Sequence, residues 1–180
     1  MCRFPCPTGP HLKQNIIETD PTPIDYIAHT RETYSSLGYP PYRWAHNDDP
    51  PPWATLDKPL EEARLGLIAS GGVYQRGQVA FTHRDDVTHR EIPIGTDLAE
   101  VRVTHFAFDL EAARQDPNVV FPLDTLRSLV SEGVIGELAP TALTFMGGIY
   151  SQRRLSAELV PVLVDRILEM ECDVVLLVPV

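Results

Sequence analysis

Two glycine pairs and a scatter of histidines, carboxylates and thiols are the residues of this 180-residue chain that could do chemistry. Ser70-Gly71-Gly72 follows the short apolar run Leu65–Ala69, and a turn without side chains lets a ligand carboxylate approach backbone amides. The same residues read equally as a tight turn, and a Gly-Gly pair outside a GxGxxG or GK[ST] pattern does not specify a nucleotide. Gly147–Gly148 has the same two readings and precedes the helix that leads to the last strand, which places it near the same site. His105 and Asp109, on a strand over 101–108, would share one face about 13 Å apart, too far to bind one metal without a bulge. Either can orient a substrate or act as an ordinary sheet residue, and Asp109 can also cap the next turn. Pro179 and Val180, at the end of the last strand, complete the predicted pocket of Ser70, Gly71, Gly72, His105, Asp109, Gly147, Gly148, Pro179 and Val180.

Three other groups have the right side chains in an unconvincing arrangement. His83, Asp85, Asp86 and His89 are metal-type donors, but no recognised spacing joins them and Arg84 and Arg90 oppose a cation, so a solvated loop is expected. Cys2, Cys6 and His11 could offer thiolate and imidazole to zinc, yet a second pair is missing and no metal is expected. Cys172 lies at the start of the last strand, roughly 26 Å from its carboxyl end, and reads as a small core residue.

These residues need elements to position them. The chain holds 17 prolines, 11 of them in the first 60 residues, and proline resists both long helices and central strands. Residues 1–59 therefore read as an extended proline-rich arm with one short helix near 23–37. Thr22 is its expected N-cap, Pro23 its first position, and Asp25 an acid near the positive end of the dipole. Ile27, Ala28, Tyr34 and Leu37 supply its apolar side, and Gly38 closes it. Asp48–Pro52 reads as a rigid connector. Residues 60–180 read as an α/β domain with a mostly parallel sheet and flanking helices. Strands are expected at Leu65–Ala69, Val101–Phe108 and Ala142–Met146, with helices at Pro122–Glu132 and about Ser156–Glu171, where Pro161 makes the start uncertain or bends the helix. The nearly all-apolar segment Asp173–Val180 reads as a parallel strand covered on both faces.

Composition narrows the functions. The 43% apolar and 22% charged residues are globular values, and the length suits about one domain. A net charge of -10 argues against nucleic acid and anionic membrane as partners. No run approaches a membrane span, and the first residues lack the apolar stretch of a secretory signal. Three cysteines do not make a disulfide framework, so the reducing cytoplasm is the expected location.

Ligands of parallel sheets bind beyond the carboxyl ends of the strands, and here the chain stops at that end of its most apolar strand. The terminal stretch Cys172-Asp-Val-Val-Leu-Leu-Val-Pro-Val180 resembles the glycine/sarcosine/betaine and D-proline reductase selenoprotein B family, closest to its D-proline branch. The resemblance continues through Arg90-Glu-Ile-Pro93, Val101–Asp109, Asp116–Asp124 and Phe145-Met-Gly-Gly148, covering about residues 39–180. In that family such a stretch is followed by selenocysteine, encoded by UGA and ordinarily read as stop, so the resemblance implies a chain cut just before its nucleophile and inactive as written. It further implies a selenolate that breaks a carbon–nitrogen bond of D-proline or a glycine-derived amine, a dithiol electron source, and a pyruvoyl group on a partner subunit. For a truncated chain, an exposed last strand and aggregation are expected. Two other readings stand beside this one: a non-catalytic module that binds a small anion at the glycine loops, and a structural partner assembled through the acidic, proline-rich arm.

Overall fold

A computed structural model describes residues 25–41, 46–106 and 108–180. The readings on Cys2, Cys6, His11, Thr22 and Pro23 lie outside the described residues. The chain divides between Pro52 and Trp53 into two units. In the first, α1 spans Tyr26–Ser36; the Asp25 side chain caps it by accepting from the Ala28 amide at 3.0 Å, and Gly38 follows it with φ 79°. Its expected apolar side stays in water, since Ile27, Tyr34 and Leu37 are all exposed.

The second unit is the α/β body. Its sheet contains β1 (Arg64–Ala69), β3 (His89–Pro93), β5 (Glu137–Leu138), β6 (Thr141–Phe145) and β7 (Val174–Val178). β1 lies in the middle, parallel to β7 on one side and to β5 and then β6 on the other. β5 and β6 are successive parts of one pass, separated by Ala139–Pro140, because Pro140 has no N–H to give to the ladder. β3 runs antiparallel along the outer side of β6. A separate two-stranded antiparallel ribbon joins β2 (Val73–Gln75) to β4 (Val101–Val103).

Each face of the sheet has its own core. On one, Leu65, Leu67 and Ala69 of β1 pack with Val73, Val101, Phe121 and with Leu123 and Leu126 of α3 (Leu123–Ser131). On the other, Leu143 of β6 packs with Leu159 and with Leu163 and Met170 in and just after α5 (Val160–Glu169). Gly66 lets the two layers close: a Cβ there would sit 2.9 Å from both Cys172 Sγ and Ile167 Cδ1. Cys172 is thus a core residue, and burial pushes its thiol pKa up, away from an ionised nucleophile.

Three expectations are corrected. The strand over 101–108 ends at Val103, so His105 and Asp109 do not share a strand face; Asp109 instead caps the short helix α2 (Glu111–Gln115), accepting from the Glu111 amide at 2.9 Å. The helix expected from Ser156 begins earlier, as α4 (Gln152–Arg154), and runs through a wide π-type turn at 155–159 into α5. Pro161 lacks the N–H that would bond to residue 157, and the wider turn just before it, closed by the Val160 amide on Leu155 O, takes up the irregularity. Finally β7 is not covered on both faces. It lies at an edge, its side chains are half-buried, and Leu177 is exposed.

Candidate active site at the carboxyl ends of the strands

Parallel strands deliver their following loops to one end of the sheet, and that alone brings most of the predicted pocket together. Ser70 is the knot. Its amide donates to Val178 O at 3.0 Å, and its Oγ accepts from the Val180 amide at 2.9 Å. Its carbonyl accepts from the Gly147 amide at 2.8 Å. Gly71 forms an antiparallel bridge with Met146, and the Gly72 amide donates to Phe145 O at 2.9 Å. The ends of β1, β6 and β7 are thereby tied into one rim holding Ser70, Gly71, Gly72, Gly147, Pro179 and Val180.

The glycines of this rim are there because other groups need the space. A Cβ on Gly72, whose φ is 68°, would lie 1.7 Å from the carbonyl oxygen of Thr104. A Cβ on Gly148 would lie 2.2 Å from the ring of Phe106. One on Gly71 would press on Val120 at 3.1 Å and approach Val180 at 3.4 Å. The segment after β4 therefore lies directly on the glycine turns and brings His105 to the rim.

His105 is only 5% exposed, with its ring 5.6 Å from Phe106 and 4.9 Å from Phe108, centre to centre. Burial, and secondarily the neighbouring His83, lower its pKa below the usual histidine value, so the imidazole is neutral at pH 7. Phe106 in turn stacks near Tyr150 at 6.2 Å and His83 at 5.9 Å. His83 Nε2 lies 3.4 Å from Thr104 Oγ1. This ring group comes from three separate loops. Sequence reasoning missed Phe106 and Tyr150, because aromatic residues in loops carry no periodic signal.

The group His83, Asp85, Asp86 and His89 divides into separate tasks. Among the described residues, no group of three or more histidines, cysteines or carboxylates is placed to hold a metal. Asp86 is buried and accepts from the amides and hydroxyls of both Thr82 and Thr88. Burial pushes its pKa up, but the Thr88 hydroxyl, the two amides and Arg90 outweigh it, and the carboxyl titrates below its ordinary value. Asp85, with φ 46°, accepts from the Tyr150 amide at 2.7 Å and the Ser151 amide at 3.1 Å, and Arg154 donates to its carbonyl at 2.9 Å. The loop bearing His83 is thus fastened to the start of the helical stretch that follows Gly148. Asp109 is exposed and turned to Glu111, outside the ring group.

A mostly parallel α/β sheet with its candidate site at the strand ends is the class these features define, and comparison with known proteins gives the family. Residues 43–179 match the model for glycine/sarcosine/betaine reductase selenoprotein B, and the chain belongs to that family. It is 33% identical over 128 residues to D-proline reductase subunit gamma of Acetoanaerobium sticklandii, which covers 71% of this chain and 53% of that protein. It is also similar to two subunits from Peptoclostridium acidaminophilum. The sarcosine reductase complex component B subunit beta is 30% identical over 87 residues, 46% of this chain and 20% of that one. The betaine reductase complex component B subunit beta is 36% identical over 89 residues, 45% of this chain and 20% of that one. The chain thus spans about half the length of the first relative and a fifth of the others. No solved structure gives a significant match. Among the described residues, no helix is long and apolar enough to cross a membrane.

Proposed function

We propose that this chain is the selenoprotein B-type subunit of a reductase that cleaves a carbon–nitrogen bond of D-proline or of a glycine-derived amine. The observation that carries the reading is the family match, which runs to residue 179, up to the Val-Pro-Val end that Ser70 holds at the strand-end rim. A selenocysteine following Val180 would supply a soft anionic nucleophile, with a pyruvoyl group on a partner subunit activating the substrate and a dithiol supplying the electrons.

The residues present fit such a nucleophile. Ser70 holds the Val180 amide, which fixes the direction in which the backbone leaves the sheet. Gly71 and Gly147 keep the floor beside it free of side chains, where a substrate carboxylate could approach the backbone. His105, neutral and walled by Phe106 and Phe108, can hold a proton near the site without adding charge. Its aromatic surroundings keep water off that flank. Cys172, at the amino end of β7 and pressed on Gly66, takes no part in thiol exchange.

The gene decides the reading. An in-frame UGA after the Val180 codon, followed by codons for Pro-Val-Cys and a selenocysteine-insertion hairpin, is the expected finding. The extended protein, combined with a pyruvoyl-bearing subunit and a dithiol, should then convert D-proline to 5-aminovalerate or release the amine from a glycine derivative. A UAA or UAG codon at that place would sink the proposal.

A further inference from the structure

The surface beside β7 has a shape that calls for a specific cover. β7 pairs with β1 along one edge, and among the described residues nothing pairs with the other. Its five residues, Val174–Val178, include no lysine, proline or bulge, the devices that usually protect an open edge. Val174, Leu176 and Val178 pack on the core under α3, which leaves Val175 and Leu177 on the α5 face of the sheet, where Leu177 is 66% exposed.

α5 adds a second strip on that same face. Its position over the sheet is fixed by Leu163, which is buried, and by Arg166, whose guanidinium grips Glu91 of β3 with two bonds of 2.8 Å at the far edge. At about 100° per residue, Val160, Val164 and Leu168 fall on the opposite flank of the helix, toward β7. They are 42, 50 and 68% exposed. An unpaired strand edge and an apolar helix flank therefore lie side by side.

We infer that this combined surface is a self-association face, occupied by a second copy of the chain related by a two-fold axis. A lone strand would pair with β7 but leave the helix flank in water. A lone helix would cover the flank but leave the backbone groups of β7 unpaired. A second copy brings both at once: β7 pairs antiparallel with its equivalent, and the two α5 flanks meet with Val164 at the centre and Val160 opposite Leu168 of the second copy. Such an isologous contact needs a self-complementary patch, and this one is entirely apolar. Each chain carries a net charge of -10, so an uncharged patch is where two copies can meet without like charges in contact. The antiparallel pairing places the two strand-end sites at opposite ends of the joined sheet. The inference does not depend on the reductase reading.

The test is the mass of the 180-residue chain in solution, by light scattering on a sizing column and by sedimentation over a dilution series. A closed dimer is expected, and the double substitution Val164→Glu with Leu177→Glu should halve its mass. Both positions are exposed, so the circular dichroism spectrum and cooperative melting should persist. Val164→Cys, with Cys2, Cys6 and Cys172 changed to Ser, should give a disulfide-linked dimer on mild oxidation. A parent that is monomeric throughout, leaving the strip to another occupant such as polypeptide beyond Val180, overturns the inference. So does a dimer that survives the double substitution, or a ladder of larger species in place of a closed pair.

Discussion

Replacing Gly72 with alanine separates the two readings of the Ser70-Gly71-Gly72 turn. If the glycine serves only ligand access, the variant folds normally and loses affinity; if it serves packing, the variant loses stability before any ligand is added. The structure favours a large stability loss. With φ at 68°, an alanine at position 72 sits in the left-handed region, which costs about 1–2 kcal/mol. Its Cβ would also lie 1.7 Å from the Thr104 carbonyl oxygen, a backbone atom with no flexible end to swing away. Relief requires the Thr104 segment to lift, and its amide then gives up the 3.0 Å bond to Gly72 O. A lost bond of that kind adds about 1 kcal/mol. Together these give about 3 kcal/mol, or roughly 10 °C in melting temperature for a chain of this size. Two controls calibrate the figure. Gly77 has φ 93° but nothing within 4 Å of an added Cβ, so Gly77→Ala should show the conformational cost alone. That cost is about 1 kcal/mol, or about 3 °C. Gly95 has open space and no positive φ, and Gly95→Ala should be neutral or slightly stabilising. Thermal melts and urea titrations of the three variants give the ranking. A Gly72→Ala protein that melts no lower than Gly77→Ala would refute the packing argument.

Two further outcomes follow from the loop between β2 and β3. Asp86→Asn replaces a buried carboxylate that accepts four bonds with an amide that opposes one donor with another, and should cost about 2 kcal/mol at pH 7. Because the folded state holds the Asp86 pKa below its unfolded value, this stabilisation is complete above the ordinary carboxylate range and fades as pH falls toward the lowered value. Urea titrations should therefore show parent and variant converging on acidification, and a pH-independent gap would contradict the ionic account. Asp85→Ala removes the acceptor of the Tyr150 and Ser151 amides. Hydrogen exchange should accelerate at those two amides while the β1 and β6 amides keep their protection; unchanged exchange at Tyr150 and Ser151 would show that the loop is not fastened there.

The parts of this fold that were legible in the sequence are those whose signals are local. β1 and β6 appear as short apolar runs ending in glycine. α3 appears from the spacing of Leu123, Leu126, Leu129 and Val130 and from Gly133, which closes it at φ 72°. The convergence of Ser70, Gly71, Gly72, Gly147 and Val180 was legible too, because parallel strands send their carboxyl ends to one side whatever the details of the loops. The His105–Asp109 pairing failed because the apolar run 101–108 promised a long strand. What ends that strand is a contact between residues far apart in sequence, the Thr104 carbonyl seated against Gly72. The ring group of His83, Phe106 and Tyr150 was illegible for the same reason, since three loops bring it together and none of them shows a pattern.

β7 shows where such reading stops. An apolar, β-branched run reports what its side chains require, which is cover; it does not report whether an element stands ready to give it. The segment read as a central strand, and its requirement is unchanged by its place at the edge, with Leu177 and the flank of α5 in water. The apolar sequence and the exposed position are consistent only if something covers this side of the sheet. Since strand edge and helix flank need cover together, whatever meets the one must come with a partner for the other.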